Sequence, residues 1–203
     1  MEKENLKYEL TDDYITVNGQ TLYRIRALKS FCAVTKGDLG GYVNNDSNLS
    51  QEGNCWIYTN AKALDYSRIT DNALLAGNAE AHDFAKIRGN AHLYDNAIIS
   101  DNALLEGNAY IVERAKVMDC CVIPGETFIR GDVVITQNED CLTLKNNWSS
   151  MRYFTYTHPN RMWSVGCFYG TGDELIAKAY LDSKRSGDCY KASVEYIRKL
   201  YKY

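Results

Sequence analysis

Few residues in this chain are able to do chemistry. Its three histidines, His82, His92 and His158, are candidates for general acid–base work, because an imidazole titrates near neutral pH. None stands at the spacing of a Ser/His/Asp set, and His158 belongs to a His-Pro-Asn turn. No Gly-rich segment suited to cradling phosphate and no metal-ligand spacing is found. The seven cysteines include no C-x-x-C pair. They read as reduced structural thiols, with Cys55 and Cys121 where a small apolar side chain is wanted. Asp65, Asp83, Asp101 and Asp119 recur at eighteen-residue spacing. Stacked carboxylates repel, so they need turn amides or a cation or basic partner, and turn amides are the expected answer. We therefore expect no catalytic residue, no metal and no cofactor.

The segment that must position these residues is a repeat. Residues 53–136 keep a six-residue register without an insertion, beginning at Gly53. The third position is small, from Cys55 and Ala61 through Ala91 to Cys121, before Thr127 and Val133. The fifth is aliphatic from Ile57 to Ile135, apart from Ala63 and Ala81. Positions one and two are mostly Gly or Asp followed by Asn. Period six is neither helical nor a plain alternating strand. Because strand side chains alternate, positions three and five point to one side. The pattern predicts a left-handed parallel β-helix, with small residues where the backbone bends and branched ones at the centre. Asn at position two is expected to take the left-handed corner conformation. With three hexads per triangular coil, the repeat makes about 4.7 coils, roughly 22 Å long at ~4.8 Å per strand. A right-handed helix built on five-residue repeats is excluded by the period.

Residues eighteen apart stack on one face. The first face carries Trp56, Tyr58, Leu74, Ala76, His92, Tyr94, Tyr110, Val112, Phe128 and Arg130. The second carries Lys62, Leu64, Glu80, His82, Ile98, Ser100, Lys116, Met118, Val134 and Thr136; the third carries Arg68, Thr70, Lys86, Arg88, Leu104, Glu106, Val122 and Pro124. The first is the apolar face, and an aromatic stripe of that size needs covering by the terminal segments, a second subunit or a partner. A homodimer seam through Trp56, Tyr58, Leu74, His92, Tyr94, Tyr110, Val112 and Phe128 is the expected cover.

Both ends of such a stack expose unpaired strand edges. Residues 1–52 read as a capping segment, with a type I′ hairpin pairing residues 14–17 and 21–25 around Asn18-Gly19. Val43 and Leu49 suit an imperfect first coil. Residues 137–203 read as a small α+β module. Its expected strands are residues 141–144, 152–157 and 162–168, and its helices run from a Thr171 cap to about Leu181 and from about Asp188 to Leu200. Gly166 and Gly170 are expected to make turns. Residues 1–136 hold 13 Lys and Arg against 19 Asp and Glu, whereas residues 137–203 hold 10 against 7. Neither part has the basic stripe of a nucleic-acid binder, so direct nucleic-acid binding is not expected. No apolar run reaches membrane-spanning length, and the charged start is unlike a secretory signal.

The hexads resemble those of the hexapeptide-repeat acyltransferases: an aliphatic such as Ile57 is followed four places on by a small residue such as Ala61. The small or acidic residue usual directly after the aliphatic is replaced by Tyr58, Leu64, Thr70, His82, Arg88 and Tyr94, and no loop leaves the prism. A second resemblance covers the whole chain. Gly37-Asp38-Leu39-Gly40-Gly41-Tyr42, the segment from Asn48 to Trp56 and the segment from Trp163 to Thr171 are similar to uncharacterised bacteriophage and prophage β-helix proteins. That resemblance implies a phage origin and life in the host bacterial cytoplasm, and supplies no catalytic residues. The expected function is a non-enzymatic interaction protein that binds and modulates a host macromolecule, with inhibition of a defence system among the outcomes. An acyltransferase-like enzyme using His82 or His92 is the alternative, and a structural phage component the second.

Overall fold

Every hexad turns its corner on its first residue. In the computed structural model, which describes residues 6–203, all these positions lie in the left-handed region, from Gly53 (φ +68°) and Thr59 (+50°) to Asp119 (+59°) and Gly131 (+86°). This corrects the expectation that Asn at position two takes that conformation. Asp at position one both tolerates it and uses its carboxylate there, accepting the backbone N–H of the corner one coil further on. Asn at position two instead forms a side-chain ladder: Asn54 donates to Asn72 and Asn72 to Asn90, each at 3.0 Å, and Asn90 to Asn108 at 2.9 Å. Gly107 is required where two corners close up, since a Cβ there would lie 2.8 Å from the Gly125 Cα.

Three longer strands precede the hexads: β1 (Tyr8–Val17), β2 (Gln20–Ala27) and β3 (Leu39–Val43). β1 and β2 form the expected hairpin about Asn18-Gly19, longer than read because Tyr8 and Ala27 still pair at its open end. β3 pairs antiparallel with β2 and parallel with the strand at Lys62–Ala63, so the hairpin extends one face of the prism past its first coil. Val43 pairs with Ala63 and Leu49 bridges to Ile69, the imperfect first coil that was expected. β4 to β17, from Trp56–Ile57 to Val134–Ile135, are two-residue strands, one per hexad. They stack in parallel into a left-handed β-helix with three sheets. The small and aliphatic columns form its core, with Ala61, Ala91, Ala109, Ile87 and Ile111 fully buried.

After a short 3₁₀ turn at Asn138–Asp140, β18 (Cys141–Lys145), β19 (Tyr153–Thr157), β20 (Met162–Val165) and β21 (Phe168–Gly170) form an antiparallel sheet in chain order. α1 (Gly172–Asp182) opens on the Thr171–Glu174 capping box. α2 (Lys184–Tyr201) starts earlier than the expected Asp188, because the Ser183 side chain accepts the Ser186 N–H and caps the helix there. The strand expected over residues 162–168 is two strands, split where Gly166 turns at φ +58°. Gly170 lies buried inside β21 rather than in a turn.

Alternation divides this sheet between two partners. Phe154, Tyr156 and Trp163 face the helices, where they join Leu175, Val194 and Ile197 in a second core. Thr143, Thr155 and Tyr169 face the last coil. The hydroxyls of Thr127, Thr143 and Thr155 form a chain at 2.9 and 3.2 Å, Thr155 also accepts the Phe128 N–H, and the Tyr169 hydroxyl donates to the Arg130 carbonyl. Among the described residues no helix is long and apolar enough to cross a membrane.

Candidate functional site

The aromatic stripe forms as a ladder and packs largely on itself. His92 lies flat on Tyr110, with centroids 4.4 Å apart and planes at 3°, and Tyr110 meets Phe128 at 5.9 Å. The His92 Nδ1 stands 2.6 Å from the Tyr94 hydroxyl, which places Tyr94 over the same group. Burial holds the His92 imidazole below its ordinary range and raises the Tyr94 phenol above its own. Tyr58, Leu74, Val112 and Phe128 are half-buried. Trp56 is covered completely: Tyr8 meets it edge-on at 6.3 Å and Phe31 at 5.5 Å. The capping segment therefore occupies the top of the stripe within the chain, which leaves the portion from Leu74 to Phe128. At its lower end the stripe runs into a cleft of about 480 Å³ between the prism and the terminal sheet. Tyr110, Phe128, Met151, Arg152 and Tyr153 line it.

His82 lies on a different face. Its Nε2 is 3.0 Å from Glu80, and Glu80 is 2.6 Å from the Lys62 ammonium. Burial works against the Glu80 charge, but Lys62 and His82 outweigh it and hold the carboxyl below its usual range. His158 is far from both, stacked on Tyr201 at 4.1 Å in the terminal module. The three histidines do not converge.

The acidic column is a set of corner hydrogen bonds. Asp65 accepts the Asp83 N–H at 3.2 Å, Asp83 that of Asp101 at 3.3 Å, and Asp101 that of Asp119 at 3.2 Å; Gln20 donates to Asp65 at 2.6 Å. The carboxylates of Asp65, Asp83 and Asp101 are each answered by a corner amide one coil away rather than by an amide of their own turn, and Asp119 ends the column as a donor only. Cys55 and Cys121 are buried in the repeat, and burial pushes the Cys121 thiol up to about 11 and that of Cys141 up to about 12. Such thiols are poor nucleophiles.

Two features escaped the pattern of the repeat. Lys7 is buried at the head of the prism, its ammonium 2.9 Å from the Cys55 carbonyl, 3.2 Å from the Cys55 sulfur and 3.3 Å from the Glu52 carbonyl. Burial lowers its pKa. A lysine ahead of a strand carries no signal of burial. The second is Tyr66 and Phe84, the most exposed aromatic pair on the prism, at 67% and 53%. They occupy position two, where neighbouring hexads carry Asn, and that substitution was a readable signal. Outward strand positions alone do not include the corners.

No family model matches the chain. It is 40% identical over 57 residues to an uncharacterised acetyltransferase, YdcK, of Escherichia coli (strain K12). The aligned part is 28% of this chain and 18% of that protein, so the chain spans less than a fifth of the relative it matches.

Proposed function

We propose that the chain is a non-enzymatic interaction protein that binds a macromolecular partner along the stripe from Leu74 to Phe128 and in the adjoining cleft. One observation carries this reading: half-buried rings continue without a break into a cleft rimmed by exposed Met151 (56%), Tyr153 (42%) and Arg152. Aromatic and Arg side chains at the edge of a groove are what anchors a protein interface. The phage-type reading makes the partner a host macromolecule, a defence component among them, and a second copy of the chain can occupy the same stripe as a homodimer. Tagged protein retrieves the partner from host lysate, and the purified pair is then titrated. Arg152→Glu with Tyr153→Ala should weaken that binding at least about tenfold, roughly 1.4 kcal/mol. Light scattering should show Tyr94→Glu with Tyr110→Glu converting a dimer to a monomer. Unchanged binding and unchanged mass together would refute the proposal.

Acetyl transfer is the second reading, supported by the relative's name and by the Lys62–Glu80–His82 cluster, in which a carboxylate orients an imidazole as a general base requires. Calorimetry with acetyl-coenzyme A separates the two. Binding that is lost in His82→Ala would favour the enzyme.

A further inference from the structure

Four cations of the prism are matched by a carboxylate one coil away. Lys62 meets Glu80 at 2.6 Å, Arg88 meets Glu106 at 2.5 Å, Arg114 meets Asp132 at 2.7 Å and Arg130 meets Glu113 at 2.8 Å. Three others meet no carboxylate among the described residues: Lys116, whose ladder partners are Ile98 and Val134, and the pair Arg68 and Lys86. Arg68 and Lys86 are direct ladder partners, and both are exposed. Like charges directly opposite each other in a sheet are unfavourable. Among the described residues no carboxylate pairs with either of them.

The corner beside them departs from the repeat in the same two hexads. Tyr66 and Phe84 stand where Asn is usual, and their rings stack 5.1 Å apart with planes at 8°. That separation is close to the ~4.8 Å between strands, so the rings pile along the prism axis. The next residue of the column is Asn102, which is much shorter. The outer face of Phe84 is left open above it, as a step. Tyr66, Arg68, Phe84, Lys86 and Asn102 together line one cleft of about 370 Å³. This cleft lies on a different sheet from the aromatic stripe, so it is independent of the partner-binding reading above.

We infer that this cleft binds a nucleoside phosphate. The base continues the ring stack on the outer face of Phe84, with the Asn102 amide offering both a donor and an acceptor to its edge. The phosphate lies between Arg68 and Lys86 and neutralises the unmatched pair. Size and charge select a single nucleotide over a strand. The cleft of about 370 Å³ has room for one base with its phosphate, and the corner carboxylates of Asp65, Asp83 and Asp101 would repel a phosphate backbone extended along the column.

Calorimetry on the full chain with the four ribonucleoside mono- and triphosphates tests this, with adenosine and inorganic pyrophosphate as the ring-only and anion-only arms. At least one nucleotide should bind at least about tenfold more tightly than either arm. Arg68→Gln with Lys86→Gln should weaken it at least about tenfold. Asn102→Tyr should block the step, and none of these exposed substitutions should lower the melting temperature. Absence of binding by every nucleotide, or equal affinity in the variants, would overturn the assignment. So would tighter binding of an oligo(dT) strand or of a Glu/Tyr copolymer, which would make the site a nucleic-acid or acidic-protein contact.

Discussion

The two ends of the prism are closed by opposite means. At the head, the chain continues the β-helix's own sheet: β3 pairs onto it, β2 and β1 follow, and Tyr8, Ile25 and Val43 join the same core as the hexads. A buried ammonium, Lys7, binds carbonyls at the coil end. At the tail, the covering sheet turns a hydroxyl-lined face to the last coil and keeps its apolar face for α1 and α2. One cap shares the prism's core; the other has a core of its own. A parallel coil can thus be ended by extending it, which requires polar atoms inside, or by docking a separate unit through polar contacts.

If that contrast is right, damage in one core should leave the other standing. Ala91→Asp places an unpaired charge in the middle of the prism, where Ala91 is fully buried. It should cost several kcal/mol, on the order of 3–5 kcal/mol or more, and take the head cap down with it. Trp163→Ala empties a site packed against Phe154 and Tyr156. It should cost about 3–5 kcal/mol in the module alone. Hydrogen exchange by segment checks both: amides of residues 6–136 should lose protection in the first variant and keep it in the second. Uniform loss in both would mean a single cooperative unit.

A smaller effect sharpens the account of the head. Lys7→Met removes the ammonium that the Cys55 and Glu52 carbonyls share. Leaving them without a donor should cost about 1–3 kcal/mol, lowering the melting temperature of the prism and not that of the module. A variant as stable as the parent would mean that the desolvation of Lys7 cancels its bonds.

The contrast also follows what could be read in the sequence. The hexads were legible because one backbone solution recurs, so the columns from Cys55 to Val133 and Ile57 to Ile135 announce their burial by repetition. The tail module was legible in outline, since the Thr171–Glu174 box and the alternating strands are local signals. Its early α2 start rests on a Ser183 side chain that any loop serine resembles. The head was least legible: Lys7 is buried by contacts with residues 52 and 55, and Trp56 lies at an outward position yet is covered by Tyr8 and Phe31. Such long-range covering leaves no periodic trace. For the candidate sites, the stripe was visible as a column, whereas the Arg68–Lys86 pair gains meaning only once Lys62, Arg88, Arg114 and Arg130 are seen to be paired with carboxylates.

The smallest expected effect concerns pH and asks which unit the stripe belongs to. Burial lowers the His92 pKa in the folded chain, while the unfolded chain keeps a value near 6.5. As pH falls below about 6.5, the unfolded state therefore takes up its proton first, and stability is lost through the window between that value and the lowered one. Above the window the contribution is fully present. The His92 Nδ1 also lies 2.6 Å from the Tyr94 hydroxyl; the tautomer protonated at Nε2 accepts there, and protonation at Nδ1 reverses that bond. Melting followed from pH 7.5 down to 5 should thus show an acid-side decline in the prism transition. His92→Phe, which keeps the stack on Tyr110 and has no proton to gain, should flatten that decline, and Tyr94→Phe should leave part of it. An identical slope in parent and His92→Phe would place the acid sensitivity elsewhere. A slope confined to the module would break the separation of the two cores.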